Sequence, residues 1–257
     1  ADELEVGCDE GLYEKLDVNK IGGASRYLPG TVHACGVGAI IYNLVLAYDG
    51  DKTKTTPSGW ADFFDSKKFP CKRAIRNGAK WNLEIALIAD GVKAADVYKV
   101  LATPAGVERA FKKLDTIKKD LVYWKSGAQP PQMLAAGDVV MTTAYNGRIT
   151  AANDKDKKNF KMVWKDTPYT MDSWVIMKGT PNKAEAEKLV EYLGRAENQA
   201  KLPKYIRYGV TNRDATKQIE PSLMGDLPTN PTNLNQAFPD NVKFWIDNID
   251  KMTERWN

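Results

Sequence analysis

The chain has 257 residues, 37 basic and 33 acidic side chains, a formal net charge of +4 and a hydrophobic fraction of 43%. That balance is globular, and the length is enough for one large domain or two small ones. Acids interrupt the lysine runs "FKKLDTIKKD" and "NDKDKKNFK", so these read as solvated faces. No basic stripe interleaved with stacking aromatics points to nucleic acid.

No apolar stretch reaches the roughly 18 residues of a membrane span. The opening "ADELEVGCDEGL" is not a signal peptide, so an exported form would already have lost its signal. The cysteines are Cys8, Cys35 and Cys71, without a C-x-x-C, and His33 is the single histidine. That set argues against zinc. It fits either one disulfide plus a free thiol in an exported protein or three buried thiols in a cytosolic one.

Strands and helices alternate along the chain, which predicts an α/β fold. Val32 to Tyr48 reads as one apolar strand. Ser58 is a fair cap for a short helix carrying Trp60, Phe63 and Phe64. "KRAIRN" reads as a short strand, and "KWNLEIALIADG" as a helix closed by Gly91. Thr103 and Pro104 open a helix with Val107, Phe111, Leu114 and Ile117 at helical spacing. Val139 to Tyr145 reads as a strand ending in the turn-prone pair Asn146-Gly147. "FKMVWKD" is another strand. In "TPYTMDSWVIMKG", Asp172 stands before Ser173 to Met177, which read as a buried strand. Thr180 caps an amphipathic helix with a buried stripe of Ala186, Leu189, Val190 and Leu193, stopped by Gly194. The tail has helical periodicity through Val242, Trp245, Ile249 and Met252. Polar residues just after strand ends suit a ligand cleft at the carboxyl edge of open sheets.

Catalysis would have to use His33, which lies in an apolar segment two residues before Cys35, and no G-x-S-x-G exists. "CGVGAI" lacks the third glycine of a dinucleotide fingerprint, and no P-loop is present. The expectation is therefore a binding protein without a cofactor, and not an enzyme. The residues left at strand ends are Trp81, Trp124, Tyr145, Arg148, Tyr169, Asp172, Trp174 and Tyr208. Ring faces attract cations and a carboxylate pairs with an ammonium, so together they could box an amine.

The segments "CDEGLYEKLD", "PSGWADFFD", "YWKSGAQPPQMLAAGDVVMTTAYNGRI", "MDSWVIMKGTPNKAEAEKLVEYL" and "IRYGVTN" resemble the extracellular solute-binding proteins of the spermidine/putrescine class, which serve bacterial ABC importers. The resemblance covers nearly the whole chain. It implies two α/β lobes of the type II periplasmic-binding-protein fold, joined by crossing strands, with a solute held between them and released by hinge motion. It further implies a monomer in the periplasm, a membrane permease as partner, and no chemistry. The crossings are expected near Ala39 to Asn43 and Tyr169 to Val175. One lobe would hold 1–40 and 171–216, and the other 41–170 and 217–257. The family's opening strand, helix and strand are expected to precede the residues present here, as a separate or missing segment of the same protein.

Carried over residue by residue, the amine anchor is Asp172, the cleft aromatics are Tyr145 and Tyr208, and the polar loop positions are Ser126 and Gln129. Trp81 joins the wall. The family's acidic pair at the second-lobe helix falls at Gly78 and Trp81 here, so a polyamine would lose one of its carboxylates. Arg148 adds a guanidinium one turn from Tyr145, suited to a ligand carboxylate. The expected solute is a small amine such as putrescine or spermidine. The alternatives are a zwitterionic ω-amino acid or opine-like solute, an α/β hydrolase or transferase, and a metal-binding protein of the same fold. An Arg148–Asp172 ion pair inside the protein is the competing role for the two charges. The resemblance also favours a Cys8–Cys35 disulfide with Cys71 free.

Overall fold

The computed structural model describes residues 1–257 and divides into two compact units, Ala1–Tyr42 with Thr170–Asn230 and Asn43–Tyr169 with Pro231–Asn257. The strands are β1 (Val32–His33), β2 (Gly36–Asp49), β3 (Arg73–Arg76), β4 (Leu121–Trp124), β5 (Met141–Tyr145), β6 (Phe160–Val163), β7 (Pro168–Val175) and β8 (Phe238–Pro239). The apolar run from Val32 to Tyr48 is therefore two strands, with a tight β1–β2 hairpin pairing Val32 with Val37 and His33 with Gly36. The unit boundaries fall within β2 and between Tyr169 and Thr170 of β7, so both strands pass from one unit into the other.

In the first unit, the helix Asp2–Asp9 is tied to the start of β2 by a Cys8–Cys35 disulfide, and Cys71 is free and exposed. Ile21, Tyr27, Val37, Ile176 and Val190 form one core cluster. Ala200, Val210, Ala215, Ile219 and Leu227 form another. The second cluster draws 217–230 into this unit, where the expected lobe boundary had placed it in the other; burying Ile219 and Leu227 against Val210 is the physical reason. Within the helix Lys183–Leu193, Val190 is buried but Leu189 is 56% exposed, so the expected stripe is narrower. Asn182, and not Thr180, precedes that helix, and the Thr180 hydroxyl only accepts from the Asn182 N–H.

In the second unit, β3 lies between β4 and β5, parallel to both, and β5 and β6 each pair antiparallel with the second half of β2. Leu44, Val45, Leu46 and Ala47 are fully buried there, as expected of a strand covered on both faces. The helix Asn82–Ala89 is buried through Leu83, Ile85 and Leu87. The helix Pro104–Asp115 starts as its sequence predicts: the Thr103 hydroxyl accepts from the Gly106 N–H at 3.0 Å. The helix Trp60–Phe64 has Gly59 at its cap, while Ser58 instead donates its backbone N–H and hydroxyl to Asp62. The C-terminal helix Val242–Trp256 buries Trp245 and Met252.

Two readings change near the candidate site. Asn146-Gly147 is not a turn but the start of the helix Asn146–Asp156. The Asn146 side chain is buried and accepts from the Asn43 N–H at 3.1 Å, which holds the helix start against β2. "SWVIM" is not a uniformly buried strand either. β7 ends at Val175, Trp174 is 44% exposed, and only Ile176 is fully buried. Period-two alternation puts Asp172 and Trp174 on the same, exposed face.

Candidate functional site

On the first unit, the polar centre is Asp172. It is exposed on β7, yet crowding by protein raises its pKa above the ordinary aspartate value. Desolvation is the main cause, and a hydrogen bond from the Tyr42 side chain opposes it. Tyr42 is a partner the sequence reading missed. Its ring centroid lies 5.8 Å from that of Tyr208, tilted by 53°.

The backbone explains why these two tyrosines meet. Ile41 and Gly209 form an isolated antiparallel bridge, with N–H to O distances of 2.9 and 2.7 Å. The segment after it is fixed by buried Gln199, whose Oε1 accepts from the N–H groups of Thr211 and Asn212, both at 2.8 Å. Thr211 donates its hydroxyl to the Gly38 carbonyl at 2.6 Å. A carboxylate bonded to a tyrosine, with a second tyrosine ring against the first, offers groups that suit an ammonium.

On the second unit, the helix Asn146–Asp156 carries Arg148, exposed, in its first turn, just past Tyr145 at the end of β5. Tyr145 is half-buried in an aromatic frame. It meets Trp124 at 5.4 Å and Trp81 at 6.4 Å between centroids, edge-on at 81° in both cases. Such edge-to-face pairs each add about 0.5–1.5 kcal/mol beyond burial. Trp124 is itself fixed, fully buried with its Nε1 donating to the Thr143 hydroxyl at 3.2 Å. Gly127 is required here, because a Cβ would stand 2.9 Å from Tyr145 Cδ2 and 3.6 Å from Arg148 Nε.

Ser126 is exposed beside that glycine. Gln129 is half-buried and its Oε1 accepts from the N–H groups of Lys125 and Ser126, both at 2.8 Å. Its carbonyl oxygen therefore shapes the loop, and only its amide remains for a solute. Trp81 is 3% exposed and sits behind Tyr145, with its Nε1 donating to Asp240 at 3.2 Å. Its φ is +70°, a left-handed conformation that costs a non-glycine residue on the order of 1–3 kcal/mol and that surrounding contacts must offset. The Asn82 side chain clamps this turn by donating to the carbonyls of Arg76 at 2.6 Å and Gly78 at 2.7 Å.

Other features bear less on recognition. Tyr169 is half-buried and desolvation raises its pKa. A concavity of about 490 Å³ between the helix Pro104–Asp115 and the C-terminal helix is lined by Leu101, Thr103, Val107 and Met252, and by none of the expected site residues. Cys8, His33 and Cys35 place potential metal-ligand atoms within 4.8 Å, but both sulfurs are consumed by the disulfide.

A carboxylate, a guanidinium, hydroxyls and ring faces are the kinds of group that recognise small polar solutes. The chain belongs to the bacterial extracellular solute-binding protein family, whose model matches residues 1–231. It is similar to a gamma-aminobutyric acid-binding protein of Pseudomonas aeruginosa, 46% identical over 99% of this chain and 72% of that one. It is also similar in structure to an ABC transporter substrate-binding protein of Bradyrhizobium japonicum, with TM-score 0.89 and 35% identity, covering 99% of this chain and 79% of that one. A solved GABA receptor gives TM-score 0.87 at 32% identity, covering 99% and 77%. A spermidine/putrescine substrate-binding protein of Streptococcus pneumoniae is 16% identical and shares the fold alone.

The chain is thus the substrate-binding component of an ABC transporter, with a periplasmic or extracellular location, and not an enzyme. The hydrolase or transferase alternative falls with that membership. The resemblance to this family holds, while its narrowing to the spermidine/putrescine class does not have the same support.

Proposed function

We propose that the chain captures a small ω-amino acid of the γ-aminobutyrate type for import, with Asp172 taking the ammonium and Arg148 the carboxylate. In this reading each compact unit is one lobe. The observation that carries it is the exposed Arg148 guanidinium against the Tyr145 frame, a cation where a diamine would need an acid. An ammonium brought to a guanidinium meets like charge, whereas a carboxylate gains two parallel hydrogen bonds. Tyr42 and Tyr208 supply ring faces beside Asp172. Tyr145, backed by Trp81 and Trp124, supplies the apolar wall for the methylene chain, with Ser126 as a further hydroxyl. The γ-aminobutyrate named for the 46% identical relative is a zwitterion and not a polyamine.

A thermal-shift panel tests this, because a specific ligand raises the melting temperature by mass action. γ-Aminobutyrate should stabilise the protein and putrescine and spermidine should not. A shift with the polyamines and none with γ-aminobutyrate would remove the role given to Arg148.

A further inference from the structure

Behind Trp81 lies a buried polar knot that solute contact does not explain. Asp240 follows β8, donates its N–H to the Tyr169 carbonyl at 2.8 Å, and has a side chain only 1% exposed. Its Oδ1 accepts from Trp81 Nε1 at 3.2 Å and from the Tyr98 hydroxyl at 3.3 Å. Its Oδ2 pairs with Lys80 Nζ at 2.7 Å, and the same ammonium stands 5.7 Å from the Trp81 ring centroid. The Tyr98 hydroxyl is also 3.0 Å from Glu84 Oε1, which accepts from Trp245 Nε1 at 2.7 Å.

Tyr98 has one proton for two carboxyl groups. Glu84 is fully buried, and desolvation with the nearby charge of Asp240 holds it neutral at pH 7. The Tyr98 hydroxyl is shared between Glu84 Oε1 and Asp240 Oδ1, and Lys80 brings the charge that meets Asp240. A buried carboxylate is costly to keep, and an apolar side chain would fill the space more cheaply. Its grip falls on Lys80 and Trp81, at the left-handed turn whose indole edge meets Tyr145.

We infer that Asp240 is a positioning residue for the solute site: through Trp81 Nε1 and Lys80 it fixes the Trp81 ring against Tyr145 and so sets the length of ω-amino acid accepted beside Arg148. This rests on the solute reading of Tyr145 and Arg148.

The test uses Asp240→Leu, Asp240→Asn, Trp81→Phe and the Asp240→Leu/Trp81→Phe double variant. The first readout is the Trp81 indole N–H resonance, identified by its loss in Trp81→Phe and recorded without solute. The second is calorimetric affinity for β-alanine, γ-aminobutyrate and 5-aminovalerate. Asp240→Leu should move the indole resonance and erode the length preference by about tenfold, Trp81→Phe should do the same, and the double variant should be no worse than either. Asp240→Asn keeps an oxygen acceptor and should largely preserve both readouts. Asp240→Leu or Trp81→Phe retaining the wild-type length preference overturns the inference alone, and Trp81→Phe carries that test if Asp240→Leu does not fold. Wild-type protein binding none of the three acids overturns the solute reading, and this inference with it.

Discussion

Glu84→Gln should remove a large pH dependence of stability. Burial is the main reason the Glu84 pKa is raised from 4.5 to about 8; the charge of Asp240 adds to it, and hydrogen bonds from Trp245 and Tyr98 oppose it. Between those two values the folded protein keeps a proton that the unfolded chain has lost. The folded state binds more protons, so stability falls as pH rises through that window and stays lost above about 8. A difference of that size corresponds to roughly 5 kcal/mol at full development. Glutamine has the same shape and does not titrate. The unfolding free energies of variant and wild type should therefore diverge steadily from pH 5 to pH 9, with the wild type weakening more. Urea unfolding at several pH values measures this directly. Parallel profiles for the two proteins would refute the assignment of Glu84 as a neutral buried acid.

Other expectations follow from the same geometry. Arg148→Ala should weaken γ-aminobutyrate binding by about 2–5 kcal/mol, as loss of one partner of a charged contact does, and leave the melting temperature of the unliganded protein nearly unchanged. Reducing the Cys8–Cys35 disulfide, or replacing both cysteines by alanine, should cost roughly 3.5 kcal/mol by the chain-entropy argument for a 27-residue separation, read by calorimetry as a lower melting temperature. Gly127→Ala should lower solute affinity more than stability, since the added carbon meets Tyr145, which two tryptophans leave little room to move. Because the Asp172 pKa is raised, affinity for an ammonium ligand should begin to fall, on acidification, at a higher pH than an ordinary aspartate would give. Titrations from pH 7 downward would show it.

The parts legible in sequence were those governed by near neighbours. Thr103-Pro104 announced its helix because the cap and the pre-set φ act within one turn. The parts that were not legible depend on distant partners. Asn146-Gly147 is a turn by local propensity, but Asn43, 103 residues away, fixes Asn146 at a helix start. Tyr42 looked like one more strand residue until the bridge between Ile41 and Gly209 set it beside Tyr208. Trp81 read as part of the cleft wall, and its tie to Asp240, 159 residues on, was not legible, because an indole N–H does not announce which distant acceptor it will find.

Two-ended recognition is the central claim, and isothermal titration of the wild-type protein with γ-aminobutyrate, putrescine, butylamine and butyrate tests it most directly. The account predicts saturable binding of γ-aminobutyrate alone, lost in both Asp172→Asn and Arg148→Ala. Putrescine binding as tightly as γ-aminobutyrate, or γ-aminobutyrate binding unchanged in either variant, would contradict it.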